Sequence, residues 1–337
     1  MKPDKTKLQI TILITALLFT VLLVFLFHRK QDIIPGWKIP GVVNDKGGKP
    51  ATPSGDKLKT WTDTKVVPDG EFPLLKPLDP KKYKNLSKDE LQIFNITAKS
   101  LLNENRARGR NNPYVLLDIL DLKEGDNIGD IGCGPGYYTF ILAYRVGKKV
   151  KDPATGKTVV KPVGKNGGLV YAVDFYPPMI TYVKFMREHL AKERKVDFQN
   201  IKFICNEADG LVYDIPADTL DFAFLSEMHI YNHIPDNPHQ FVTQEQRKNK
   251  EYYFNMLRDR SEDFTKSIHN ALKPGGLLFI TETCEVNKPN QSILYKDDVI
   301  KLLESTGLFK FEKTDDSFMG AYLLFMKKIT GEKEKSK

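Results

Sequence analysis

Cysteine is scarce in this 337-residue chain, which has only three, at positions 133, 205 and 284. An odd and widely spaced set excludes a disulfide framework, and no CxxC motif or Cys/His cluster has the spacing of a metal site. The chain also lacks internal repeats and the GxxxxGK[ST] motif of nucleoside-triphosphate sites. We therefore expect no disulfides, no metal and no nucleoside triphosphate.

Charge is unevenly distributed, although the formal net charge is +8. Lysines crowd the first 90 residues, the stretch 148–165 and the C-terminal tail. An excess of basic residues permits nucleic acid or an anionic membrane as a partner, but a solvated surface explains the lysine-rich stretches as well. No nucleic-acid recognition motif is present, so the charge alone identifies no partner.

The N-terminal region contains a long hydrophobic run, residues 8–27, without any charged side chain. A helix of about 20 residues spans about 30 Å, the thickness of the hydrocarbon core of a bilayer. A cleaved signal peptide is the alternative, but its apolar region would be shorter and would end in small residues. We therefore predict a single-pass transmembrane anchor in residues 1–30. The basic flanks do not fix its orientation.

The rest of the chain divides by composition into three parts. Residues 31–85 are rich in Pro, Gly and Lys and predict a linker with a few docking residues, such as Trp61 or Phe72. From 86 to 329, apolar strands alternate with helical patterns, the first of which starts with a capping box of Ser87 and Glu90. Residues 330–337 form a charged tail. Near-continuous apolar strands of this kind predict an α/β domain, a doubly wound, mostly parallel sheet covered on both faces, with an antiparallel pair of strands at the C-terminal end.

A glycine-rich loop, GDIGCGPGYYTF at 129–140, follows the first predicted strand. Ligands in parallel sheets bind at the carboxyl ends of the strands, where this loop lies. A dinucleotide fingerprint, GxGxxG, would need a third glycine where Tyr137 stands. Asp130, two positions before Gly132, would repel a phosphate and attract a cation. The loop therefore fits a cationic ligand better than a phosphate.

The pattern D-x-G-x-G-x-G at residues 130–136 resembles motif I of the class I S-adenosylmethionine-dependent methyltransferases. Asp174, at the end of GLVYAVD, resembles the acid of that family that binds the ribose hydroxyls. Asp209, in NEADG, resembles the acid that contacts the adenine amino group. LDFAFLSE is similar to the fourth strand, and LKPGGLLFITE is similar to the turn, here Lys273–Gly276, and the fifth strand that follows it. Together these landmarks cover about residues 100–328 and imply a Rossmann-like methyltransferase fold with a seven-stranded sheet.

The resemblance also implies S-adenosylmethionine as the cofactor, held by the loop and by residues at the strand ends. The alternative for each acid is a residue that caps the next helix. The implied cofactor-binding residues are Asp130, Gly132, Cys133, Gly134, Gly136, Tyr138, Asp174, Phe175, Asp209, Gly210 and Glu227.

One departure from the family lies between the two strand-end acids, Asp130 and Asp174. They are 44 positions apart, whereas the family usually has about twenty residues between them. The excess, residues 148–168, carries DPATGK between arms rich in Val and Lys and predicts an inserted β-hairpin. Its lysines suit an anionic membrane or another polyanion, and a merely solvated hairpin is the alternative.

The acceptor side is expected in SEMHIYNHIPDNPHQF, which follows the fourth strand. The candidate catalytic residues there are Glu227, His229, Tyr231 and His233. Histidine titrates near neutral pH and suits a general base, and lid packing is the alternative role. The segment lacks the [DNS]-P-P-[YFW] signature of adenine and glutamine methylation.

The sequence thus predicts a membrane-anchored methyltransferase for a small-molecule or lipid-like acceptor. S-adenosylmethionine is made in the cytosol, so we expect the catalytic domain there, in agreement with the absence of disulfides. The alternative is a non-catalytic S-adenosylmethionine-binding or protein-interaction module on the same fold. The oligomeric state is not predicted.

Overall fold

The computed structural model describes residues 67–102, 112–206, 212, 214–226, 250–283, 296–315 and 321–330. The α-helices are α1 (Lys88–Gln92), α2 (Ala98–Leu101), α3 (Pro113–Leu120), α4 (Thr139–Val146), α5 (Pro177–Glu193), α6 (Lys250–Ala271) and α7 (Lys296–Ser305). The strands are β1 (Ile128–Ile131), β2 (Lys148–Lys151), β3 (Thr158–Lys161), β4 (Val170–Asp174), β5 (Val196–Phe198), β6 (Ile201–Cys205), β7 (Leu220–Ser226), β8 (Leu272–Thr283), β9 (Phe309–Asp315) and β10 (Ala321–Lys328).

Seven strands form the central sheet in the order β6-β4-β1-β7-β8-β10-β9. The neighbouring pairs from β6 to β8 are all parallel, whereas β10 is antiparallel to both β8 and β9. The predicted Rossmann-like sheet with its antiparallel C-terminal strands is therefore confirmed. β1 is the middle one of the five parallel strands, so the glycine loop leaves the middle of the carboxyl edge, the edge of the sheet where these strands end.

The sheet separates two hydrophobic cores. Alternate residues of one strand belong to different cores: in β10, Leu323 and Phe325 pack on one face, and Leu324 and Met326 on the other. Helices α3, α4 and α5 contribute to the first core, and α6 and α7 to the second. This burial on both faces explains why the strands read as continuous apolar runs in the sequence.

The first helical segment begins with the predicted capping box. The Ser87 side chain accepts a hydrogen bond from the Glu90 N–H (3.2 Å), and the Glu90 carboxylate accepts one from the Ser87 N–H (2.7 Å). A π-helical turn, Ile93–Thr97, joins α1 to α2. Ile93 and Phe94 in this turn are buried, so the apolar face of the segment packs on the first core.

The predicted linker, residues 31–85, is too long at its C-terminal end. Within 67–83, which we call the strap, the side chains of Phe72 and Leu78 belong to the first core. The Tyr114 hydroxyl donates to the Phe72 carbonyl (2.6 Å), and the Leu78 N–H donates to the Tyr182 hydroxyl (2.9 Å). The strap has apolar residues without a helical or alternating period, so the sequence indicated single docking residues such as Phe72 but not a packed segment.

The segment predicted as an inserted hairpin contains the antiparallel pair β2 and β3. Its two ends meet at Gly125, because the Gly125 N–H donates to Val146 O (2.8 Å) and the Gly168 N–H donates to Gly125 O (2.8 Å). The insertion therefore leaves β1 and β4 paired. The sequence did not predict β5, which pairs in parallel with β3 and completes a second, three-stranded sheet.

Two further predictions concern the turn before β8 and the N-terminal anchor. Lys273–Gly276 was expected as a turn before the fifth strand, but β8 already begins at Leu272. Gly276 allows this close pairing, since a Cβ there would lie 3.1 Å from the Leu220 carbonyl.

Within the described ranges, no helix is long and apolar enough to cross a membrane. The predicted anchor, residues 8–27, lies outside those ranges.

Asn200 fastens the end of α4 to the start of β4. Its side-chain amide donates to Ala143 O and Gly168 O, both at 2.8 Å, and the residue is fully buried. We expect Asn200→Ala to lower the free energy of unfolding by about 2–4 kcal/mol, because two buried carbonyls lose their donor. Urea unfolding measures the change. The exposed neighbour Gln199→Ala should stay within about 0.5 kcal/mol, and an equally small effect of Asn200→Ala would contradict this role.

Candidate active site

The glycine loop turns sharply at the carboxyl end of β1. Gly132, Gly134 and Gly136 have φ values of 74°, 52° and 87°, the left-handed region that favours glycine. The N–H groups of Gly132 and Cys133 both donate to the Val173 carbonyl, at 2.8 and 2.9 Å. The loop is therefore bound to the end of β4 as well as to β1.

Asp174 joins the loops that follow β1 and β4. One carboxylate oxygen accepts from the Gly134 N–H (3.0 Å) and the other from the Tyr176 N–H (2.9 Å). Burial raises the pKa of Asp174, and these backbone donors oppose that rise. A carboxylate oxygen accepts more than one hydrogen bond, so Asp174 can also receive ligand hydroxyls.

Asp130 lies beneath the loop and is only 3% exposed. The Thr139 hydroxyl donates to its carboxylate (2.6 Å). Burial raises the pKa of Asp130 to about 7; the Thr139 hydrogen bond lowers it, and the negative charge of Asp174 adds to the rise. Two acids at the end of adjacent strands thus create an environment that a cation would stabilise.

The structure brings most of the predicted cofactor residues together around these acids. Cys133 and Tyr138 are buried, and the Tyr138 ring packs edge-on against Phe224 at 4.9 Å. Phe175 is half-exposed, directly after Asp174. Burial raises the pKa of the Cys133 thiol, which makes it a poor nucleophile.

Six predicted residues fall outside the described part of the chain. They include both acids expected beyond β6 and β7 and the whole acceptor-side set: Asp209, Gly210, Glu227, His229, Tyr231 and His233. Their places relative to the glycine loop therefore stay predictions. Among the described residues, no group of three or more His, Cys, Asp or Glu side chains could hold a metal ion.

Sequence reasoning missed three contributors to this region. Thr139 orients Asp130, and burial together with the nearby charge of Asp89 in α1 raises the pKa of the Tyr176 hydroxyl. Leu101 of α2 lies above the loop, 3.7 Å from where a Cβ of Gly134 would stand. The helical segment α1–α2 therefore covers the loops. Of these three, only Thr139 had a signal in the sequence, because a hydroxyl residue shortly after the glycine pattern can reach the acid that precedes the pattern.

Comparison with known proteins decides the family. Residues 122–307 match the family model described as a methyltransferase domain, over more than half of the chain. The chain belongs to this methyltransferase family. Its cofactor is S-adenosylmethionine. No curated protein matches the chain in sequence.

Solved structures similar to this methyltransferase include a SAM-dependent methyltransferase from Aquifex aeolicus. It is 18% identical, with a TM-score of 0.44 over 75% of this chain and 100% of that chain. A protein from Pyrococcus horikoshii OT3 is 15% identical, with a TM-score of 0.45 over 72% of this chain and 100% of its own.

Proposed function

We propose that the chain transfers a methyl group from S-adenosylmethionine to a small-molecule or lipid-like acceptor, with the donor bound across the loops after β1 and β4. The observation that carries this proposal is the hydrogen bond between the Gly134 N–H and Asp174, at 3.0 Å. It joins a glycine loop to a strand-end acid at the carboxyl edge, where ligands of such sheets bind.

The described residues fit the chemistry of this cofactor. Its methionine end carries an ammonium group, which the buried carboxylate of Asp130 would attract. Its ribose carries two hydroxyls, for which Asp174 has acceptor capacity. The half-exposed ring of Phe175 would offer an apolar surface to the adenine. Asp209 and Gly210 would complete the site as the family resemblance implies.

When bound, the cofactor supplies an electrophilic methyl group on its sulfonium. The chain's own residues have to orient the donor, exclude water and, for some acceptors, take up a proton. The cover formed by α1 and α2 supports the exclusion of water. Of the acceptor-side set, His229 and His233 are the proposed proton acceptors, with Glu227 and Tyr231 positioning the acceptor.

A base at His233 predicts separable effects on binding and turnover. We expect His233→Ala to lower methyl transfer by about 10²-fold or more, the contribution of a general base, while the affinity for S-adenosylmethionine stays unchanged. Turnover measured with labelled donor, together with calorimetric titration, separates the two effects. Normal turnover in this variant would remove His233 from the catalytic residues.

The reaction itself is tested by transfer of labelled methyl groups into separate lipid, small-molecule, protein and RNA fractions. Label in the small-molecule or lipid fraction, absent with Asp174→Ala, supports the proposal. Binding of the donor without transfer into any fraction would favour the non-catalytic module instead. Label confined to RNA or protein would overturn the proposed acceptor class.

For the location, we propose a single-pass anchor in residues 8–27 and a cytoplasmic catalytic domain. The uncharged run of about bilayer length supports the anchor. The cytoplasmic side is supported by the cofactor, because S-adenosylmethionine is made in the cytosol. Retention of the full chain in carbonate-washed membranes, with the domain digestible only by protease on the cytoplasmic side, is the expected result. Extraction by carbonate would contradict the anchor.

A further inference from the structure

The inserted hairpin lies at the opposite edge of the sheet from the glycine loop. Its base contacts Gly125, which precedes β1, whereas the loop follows β1. The Asn200 amide also joins the base at Gly168 to the end of α4. In a parallel sheet all strands begin at one edge, which we call the amino edge. The hairpin therefore belongs to the amino edge, and the cofactor loops belong to the carboxyl edge.

The strap enters the domain beside the same hairpin. Glu71 pairs with Arg145 at the end of α4 (2.7 Å), and the Phe72 ring lies 5.4 Å from that of Tyr144. Lys149 of β2 donates to the carbonyl of the same Tyr144 (3.0 Å). The chain that arrives from the N-terminal linker thus reaches the domain next to β2.

From this entry the strap runs toward the carboxyl edge. The Leu78 N–H donates to the Tyr182 hydroxyl in α5, and Asp89 in α1 lies near Tyr176, which directly precedes α5. Helix α5 starts at the carboxyl edge because it follows β4. The strap therefore places the linker end at the amino edge and the cover helices at the cofactor site.

The hairpin presents a concentrated positive charge at the amino edge. Four exposed lysines, which we call the amino-edge lysines, are Lys148, Lys151, Lys161 and Lys165; Lys149 is exposed as well, but its ammonium group donates to the Tyr144 carbonyl. Lys148 stands directly opposite Lys161 in the β2–β3 register, and like charges in such a pair destabilise it. Within the described ranges, none of the four forms an ion pair.

The single acid of the hairpin does not neutralise this charge. Asp152 is engaged in its own turn, where it accepts from the Ala154 N–H (3.0 Å) and from the Thr155 hydroxyl. Lys161 acts on Asp152 only as a neighbouring charge that helps to lower its pKa. An external anion would therefore relieve the repulsion between the lysines.

The hairpin is held rigidly enough to act as a surface. β3 pairs with β5, the Thr158 N–H donates to Lys195 O (2.8 Å), and the Gln199 N–H donates to Val160 O (2.8 Å). Val160 and Phe198, partners in this register, are completely buried. Between the lysines, the outer strand exposes Val150, at 37%. Exposed lysines around an apolar side chain suit the headgroup region of a bilayer.

We propose that the amino-edge lysines bind the surface of an anionic phospholipid bilayer, so that the cofactor edge faces away from the membrane. The choice of a bilayer over another polyanion depends on the linker entry at this edge and on the apolar run 8–27. The stretch between that run and the strap has the composition predicted for a linker, and a linker of this length reaches roughly 35 Å. The amino-edge lysines and the proposed anchor can therefore contact the same membrane.

This orientation deepens the proposed function and rests on it. The acceptor would approach the carboxyl edge from the aqueous phase, as a water-soluble molecule. A lipid held in the bilayer that carries the anchor would face the wrong edge of the sheet. Of the two acceptor classes proposed above, the geometry favours the small molecule.

The test compares lysine acylation in the full chain reconstituted into vesicles of phosphatidylcholine, with or without phosphatidylglycerol. We expect the anionic lipid to slow acylation of the amino-edge lysines about fivefold or more, because each contributes to binding at the surface. High salt should reverse the effect. Lys88 and Lys99, exposed on the cover helices, should react equally in both vesicles.

Charge reversal supplies the matched control. We expect anionic vesicles to protect Lys157 of the same hairpin in the wild type as well, and replacing the four amino-edge lysines with Glu should remove that protection. Replacing four exposed lysines elsewhere, Lys84, Lys88, Lys99 and Lys184, changes the net charge equally and should preserve it. Equal melting temperatures would show that both variants fold.

Unchanged acylation of the amino-edge lysines in anionic vesicles would overturn the docking surface. Protection by added RNA but not by lipid would overturn it in favour of a nucleic-acid surface. Equal protection of Lys88 and Lys99 would overturn the orientation. None of these readouts involves methyl transfer, so a failure here is distinguishable from a failure of the proposed activity.

Discussion

Replacing Asp174 with alanine is expected to lower the affinity for S-adenosylmethionine by about 10²-fold or more. The carboxylate accepts from the Gly134 N–H (3.0 Å) and the Tyr176 N–H (2.9 Å), so its loss releases both loops. Each hydrogen bond to a charged group contributes about 1.5–3 kcal/mol, and the proposed contacts to ribose are lost as well. Calorimetric titration of the donor measures the change.

The matched control is Asp152→Ala. Asp152 also bonds the backbone of its own loop, but it lies in the hairpin at the amino edge. We expect this variant to bind the donor as the wild type does. Unchanged affinity in Asp174→Ala, with Asp152→Ala as reference, would refute the role of Asp174 in the cofactor site.

Asp130→Asn is expected to stabilise the free protein above pH 7 while weakening the binding of S-adenosylmethionine. Burial raises the pKa of Asp130 to about 7, well above its value in the unfolded chain. The stability from this raised pKa is complete below the unfolded value and is lost as the pH rises through about 7. The asparagine avoids that loss, which is on the order of 2–4 kcal/mol.

Thermal unfolding at acidic and alkaline pH tests this prediction. At pH 8 the variant should melt several degrees above the wild type, and the difference should shrink toward pH 4. Its affinity for the donor should fall about tenfold or more, since a neutral amide attracts the ammonium less than a carboxylate does. A variant less stable than the wild type at pH 8 would show that the ionised, buried carboxylate of Asp130 does not destabilise the folded protein.

The central architecture could be predicted from the sequence because its signals are local. Asp174 is the last residue of β4 and Asp130 the last but one of β1, and both strands are buried, so the apolar runs identified the strands and the acids marked their ends. The capping box at Ser87 likewise marked a helix start. Parallel pairing then brings the strand ends to one edge without further information.

The remaining features depend on contacts between distant residues. Phe72 is buried because Tyr114 and Phe198 lie beside it, and the composition around it is that of a linker. β5 is a three-residue strand whose partner is supplied by the insertion, so it carries too short a pattern to be recognised. Thr139 gains its role only once α4 has turned it toward Asp130.

The most direct measurement of the central claim is ultraviolet crosslinking of labelled S-adenosylmethionine to the full chain, followed by mapping of the labelled peptides. The account predicts saturable label in peptides that contain the glycine loop, residues 130–138, or the end of β4 with Phe175. Unlabelled donor should compete for it. Label confined to peptides outside the carboxyl edge, or no saturable label, would contradict the proposed cofactor site.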